Sequence, residues 1–98
     1  MIRKNLISTD EFCVHHNIEF SFIRNLCDFG LLQTVMVDKT EFINESQLEK
    51  LERMLRLHRD LHINVEGIDT IDHLLERMRD LQAEIISLKN KLRLYEDE

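Results

Sequence analysis

Chemistry in this 98-residue chain would have to start from its histidines, cysteines and carboxylates, so their spacing is the first thing to weigh. His58 and His62 stand four apart, which on a helix would offer two imidazoles to one ion. Two ligands fall short of the three or four protein groups a zinc site takes. Cys13, His15 and His16 lie close together, yet no Cys-x-x-Cys pair and no second cluster accompanies them, so neither a metal nor any other cofactor is expected. The carboxylates recur along periodic stretches, and neither a Gly-rich phosphate loop nor a nucleophile elbow is present, so no catalysis is expected. Cys13 and Cys27 are too few for the disulfide framework of a small secreted domain and read as reduced thiols filling a core. His58 reads as a packing or capping group at a helix end.

Charge narrows the remaining classes. Thirteen basic residues face nineteen acidic ones, for a net charge of -6, whereas nonspecific nucleic-acid affinity rests on Lys and Arg neutralising phosphates. The excess is spread along the chain, so neither half is a basic arm. One basic row, Lys50, Arg53, Arg56 and Arg59, recurs at spacing three, with Arg3 and Lys4 able to add to it. Glu49 and Glu52 precede Arg53 and Arg56 by four, so intrahelical pairing is the expected use of that row. No membrane span or leader pattern is visible, and a cytoplasmic protein is expected.

The elements that must position these groups read as mostly helical, since 43% hydrophobic residues come with only two Gly and no Pro. Ser8 and Glu11 form a capping box for a short first helix that carries Phe12 and Cys13 inward and ends near Asn17. Ile18 plugs the turn, and a second helix from Glu19 places Phe22, Ile23, Leu26 and Cys27 on one face before Gly30. Two short helices so joined make a helix-turn-helix. The β-forming run 31–37, a turn at Asp38-Lys39 and a return over 40–43 predict a small β wing. Asn44, with Gln47 three residues on, should cap a third helix whose apolar face is Leu48, Leu51, Met54, Leu55, Leu57 and Leu61. Asn64 and Glu66 suit the start of a fourth helix.

That last helix carries the most regular pattern in the chain. Ile71, Met78, Ile85 and Leu92 recur every seven residues, and Leu74, Leu81, Leu88 and Tyr95 follow three places later, filling a and d of four heptads. Running from about Val65 to Tyr95, the helix outreaches a small N-terminal unit, and its stripe predicts a homodimer built on these eight side chains. Arg77, Glu84, Lys89, Lys91 and Glu96 flank the seam and can pair in either strand direction. The expected division is residues 1–63 as a winged helix-turn-helix domain and 64–98 as a dimerisation helix.

Helix, turn, helix ending in Phe-Gly-Leu-Leu, wing, helix and long coiled-coil helix together resemble the MerR-like winged helix-turn-helix proteins over nearly the whole chain. The run Leu55-Arg56-Leu57-His58-Arg59-Asp60-Leu61-His62-Ile63-Asn64-Val65-Glu66-Gly67-Ile68, followed by Leu74-Leu75-Glu76-Arg77-Met78 and Leu81, is similar to the CbpM-type chaperone modulators within that family. The resemblance implies a small non-enzymatic regulator that binds the J-domain of a CbpA/DnaJ-type co-chaperone and inhibits it. J-domains of that kind offer a basic helical face, which an acidic competitor complements. Candidate docking residues are the acids near the wing, Asp38, Glu41 and Glu45, with Phe20 as an apolar anchor.

The competing reading is a MerR-like DNA-binding transcriptional regulator, in which the second helix enters the major groove. Its candidate contacts are Arg24, Asn25 and Lys39. Arg24 is the only basic residue between Glu19 and Phe29, and Lys39 stands between Asp38 and Glu41, so both would approach phosphate among carboxylates.

Overall fold

The computed structural model describes residues 5–96. Arg3 and Lys4, which the basic row was expected to recruit, lie outside the described residues, as do residues 97–98 of the expected dimerisation segment. The elements run β1 (Leu6–Ser8), α1 (Thr9–His16), α2 (Phe20–Asp28), β2 (Thr34–Val37), β3 (Thr40–Asn44), a 3-10 turn (Glu45–Gln47), α3 (Leu48–Leu61) and α4 (Val65–Glu96).

Local signals account for most of the boundaries. The Ser8 hydroxyl accepts from the Glu11 amide and starts α1, and Asn17 ends it in the left-handed region at φ 52°. Gly30, at φ 75°, turns the chain out of α2. Asp38 and Lys39 both have positive φ, the geometry of a two-residue type I′ hairpin, and Val37 faces Thr40 across it. Asn64 caps α4 by accepting from the Gly67 amide at 2.8 Å.

Two expectations at these boundaries differ from the structure. Asn44 caps the 3-10 turn, accepting from the Ser46 amide at 2.9 Å, rather than opening α3 directly. Gln47 forms no capping box, because its side-chain amide bonds both backbone groups of Gln33, donating at 2.6 Å and accepting at 3.0 Å. It thereby ties the start of α3 to the strand that leads into the wing.

The wing holds a third strand. In the antiparallel sheet of order β1-β3-β2, Ile7 pairs with Ile43 and Thr34 also faces Ile43. The central strand β3 is thus laddered on both sides, and its Ile43 is fully buried. The core gathers Phe12, Ile23, Leu26, Leu32, Ile43, Leu51, Met54 and Leu55, and continues into α4 through Val65 and Ile68. Burying one such side chain fully contributes about 1.5–3 kcal/mol before chain entropy is set against it. Leu61 departs from the expected apolar face, since it is 64% exposed at the last turn of α3.

At 1.5 Å per residue the 32-residue α4 is about 48 Å long. Only its first turns touch the body, and from Glu76 onward every described residue is exposed. No helix among the described residues is long and apolar enough to cross a membrane.

Candidate functional site

The residues singled out for partner or DNA contact fall in three places. Phe20 opens α2 and is 44% exposed, with the Arg24 guanidinium 5.6 Å from its ring centroid. Arg24 reaches across to the wing and donates to Glu41 at 2.5 Å, and the Thr34 hydroxyl donates to the same carboxylate oxygen at 2.6 Å. Glu41 in turn raises the Arg24 pKa through that hydrogen bond and its charge. The structure therefore joins a residue expected to meet DNA with one expected to meet a J-domain, and each occupies the other. Phe20, Arg24, Met36, Lys39 and Glu41 line one notch between α2 and the wing.

Asp38 sits at the wing tip, while Glu45 follows β3 at its far end. The five extended residues of β3 between them span roughly 17 Å, so the wing acids are strung along a strand and form no single patch. Asn25 lies one turn from Ser21 on the exposed side of α2, in a different depression that also takes in Glu19, Phe22, His58, Asn64 and Glu66.

The basic row is put to structural use. Lys50 and Arg53 approach Asp72 of α4 at 3.6 and 3.8 Å, so the pairing runs between helices where pairing within α3 was expected. Arg59 donates to the carbonyls of His16 and Asn17, the latter at 2.6 Å, and so caps the C-terminus of α1 at the helix-turn-helix junction.

His58 stacks on Phe22 with ring centroids 4.4 Å apart and donates from Nδ1 to the Ile63 carbonyl at 3.0 Å. It is the packing and capping group expected from its place at the helix end. His62, its proposed companion, adopts φ 54° as the cap of α3. Burial is the largest cause that pushes both thiols up, with Asp10 and Glu41 adding to it at Cys13. Both cysteines are free.

The seam residues of α4 stand on one side of an otherwise uncovered helix. Leu74, Met78, Leu81, Ile85, Leu88 and Leu92 are each between 51% and 58% exposed, Tyr95 is 79% exposed, and Ile71 is half-buried against the body. A continuous exposed apolar stripe of this kind marks an interaction surface.

What sequence reasoning missed was the pairing of Arg24 with Glu41, seventeen residues apart. A hint was present in the lone cation of α2 facing a wing rich in carboxylates.

Two helices joined at a tight turn, a three-stranded wing and a protruding helix define a winged helix-turn-helix protein. The profile of the family described as MerR HTH family regulatory protein matches residues 7–90, and the chain belongs to that family. No curated protein and no solved structure matches it.

Proposed function

We propose that the protein is a homodimeric, non-enzymatic modulator that binds the J-domain of a CbpA/DnaJ-type co-chaperone and inhibits it. The observation that carries this reading is the Arg24–Glu41 pair. Arg24 is the only basic residue of the helix that would enter a DNA groove, and its fork is already engaged by a wing carboxylate. With a net charge of -6, the surface is suited to a basic protein face rather than to phosphate. The similarity of the 55–68 run to CbpM-type modulators supplies the identity of that face. The α4 stripe supports association of two copies, because a second identical helix offers the same a and d side chains in return.

Family membership favours a second reading, a DNA-binding transcriptional regulator acting through Arg24, Asn25 and Lys39. One experiment separates the two. The purified protein is titrated calorimetrically with J-domains of the co-chaperones from its own source at near-physiological salt, and in parallel with promoter DNA of its own operon. Saturable heat with a J-domain, together with loss of that J-domain's stimulation of its chaperone ATPase, is the expected result. DNA binding without J-domain binding would overturn it.

A further inference from the structure

The most distinctive polar residues of the chain lie in the segment that joins α3 to α4, away from the wing. The structure brings three of them, His58, Asn64 and Glu66, against Glu19, Ser21, Phe22 and Asn25 of the helix-turn-helix. This depression runs on past His58 into a second one lined by Asn17, Ile18, Arg59 and His62, and the two share Glu19, Phe22 and His58. They make one groove across the ends of α2, α3 and α4, with the stacked rings of Phe22 and His58 in its lining.

Several of the donors that line the groove are engaged within the chain, while two carboxylates, Glu19 and Glu66, stand in its lining. Three amides in the first turns of the two helices that open into it are satisfied within the chain: Phe22 N–H donates to the Glu19 carbonyl, Gly67 N–H to Asn64 Oδ1, and Ile68 N–H to the Asn64 carbonyl. The Ser21 hydroxyl donates to Glu19. Arg59 is engaged with the carbonyls of His16 and Asn17. Nδ1 of His58 is engaged with the Ile63 carbonyl. What the groove offers is the carboxylates of Glu19 and Glu66, the Asn25 amide and the exposed ring of His58.

A side chain that carries only donors at the end of an apolar stem matches that inventory. Lysine and arginine fit, with the methylenes laid on the exposed His58 ring and the charged head among the carboxylates. A phosphate or carboxylate ligand would meet two like charges there. We propose that this groove is the docking cleft for a lysine or arginine side chain projecting from the helical face of a protein partner. The proposal rests on the modulator function above, where the partner is a J-domain, and it moves the point of docking from the wing acids to the junction of three helices.

The test uses the full chain in two arms. In the first, the 15N-labelled protein is titrated with a helical alanine-based peptide bearing lysines along one face. Saturable amide shifts at Phe22, Asn25, His58 and Glu66 are expected, and they should vanish in the Glu19→Gln/Glu66→Gln variant but persist in Asp38→Asn/Glu45→Gln. Shifts scattered over the surface, or unchanged in the first variant, would overturn the groove. Glutamine preserves side-chain size, and an unchanged melting curve confirms that the variant is folded. In the second arm the same variants are titrated with the J-domain that binds the wild-type protein. At least a tenfold loss confined to Glu19→Gln/Glu66→Gln supports the groove, and equal binding by that variant refutes the groove while leaving the modulator function intact. If no J-domain binds but the peptide shifts depend on Glu19 and Glu66, the groove stands and the modulator function falls.

Discussion

Substituting Leu81 by glutamate places a charge at the middle of the α4 stripe, and its effect on self-association follows from the exposures. The six aliphatic and methionine side chains from Leu74 to Leu92 are each a little over half exposed, so pairing two helices buries the remaining half of each. At roughly 1.5–3 kcal/mol for a whole side chain, each exposed half contributes about 1 kcal/mol, or on the order of 12 kcal/mol for two chains. Lost translational and rotational freedom takes back at least about 4 kcal/mol of that sum, which leaves a dimer in the micromolar range at its tightest. Leu81→Glu removes about 2 kcal/mol of burial from the pair of helices and forces two carboxylates to share the seam or take up protons. A total loss of about 4–6 kcal/mol raises the dimer Kd by three to four powers of ten. Sedimentation velocity at about 50 μM should therefore show the wild-type chain as a dimer and Leu81→Glu as a monomer. Leu94→Glu, at a position 73% exposed and off the seam, should remain dimeric. A dimeric Leu81→Glu variant, or a monomeric wild type, would refute the seam.

Other perturbations test the fold around the groove and the wing. Arg59→Ala should lower stability by about 1 kcal/mol, or about 4–8 °C in Tm, because the carbonyls of His16 and Asn17 lose their charged donor, and differential scanning calorimetry reads the shift. Gly67→Ala should destabilise by about 1 kcal/mol despite the better helix propensity of alanine. A Cβ there would come within 2.7 Å of Ile63 Cγ2 and 3.1 Å of the capping Asn64 oxygen, and a gain in chemical-denaturation midpoint would contradict this. Thr9→Val should raise stability by about 1 kcal/mol, read as a higher denaturation midpoint, since the Thr9 hydroxyl is buried without a hydrogen-bond partner. His73 donates to the Asp69 carbonyl and lies beside its carboxylate, and both raise its pKa above the ordinary value. Its small stabilising effect should be complete below the unfolded-state pKa and fade as pH rises through the folded one. An NMR titration of its ring should show the raised midpoint, and Asp69→Asn should lower it.

The parts legible in the sequence are those decided by neighbours within a turn or two. Ser8, Asn17, Gly30 and Asn64 mark helix ends through their own short side chains or backbone freedom, and the spacing of Phe22, Ile23 and Leu26 fixes the buried face of α2 without reference to the rest of the molecule. What was not legible depends on partners far along the chain. Leu6–Ser8 is too short to declare itself a strand and becomes one only because β3 lies beside it. Gln47 looked like a capping residue and is captured by Gln33, and Arg53, matched to Glu49 on its own helix, approaches Asp72 of α4 together with Lys50. Of the candidate site, Phe20, Arg24 and Glu41 do come together, through an ion pair that periodicity has no means of detecting. The long helix α4 was legible from its seven-residue repeat, because periodicity along a single helix needs no distant partner.

Five described residues other than glycine occupy left-handed backbone: Asn5, Asn17, Asp38, Lys39 and His62. Each gives up roughly 1 kcal/mol of conformational ease, less for Asn and Asp, and a glycine would recover much of that only to lose a similar amount by loosening the unfolded chain. The exchange is close to neutral, so the bends of this molecule are positions where selection can weigh side-chain chemistry almost free of folding cost. His62 lies at the mouth of the groove and Lys39 at the rim of the wing notch. The joints that shape the molecule thus double as sites where new specificity can be tried, and related chains are expected to diverge in binding first at their corners.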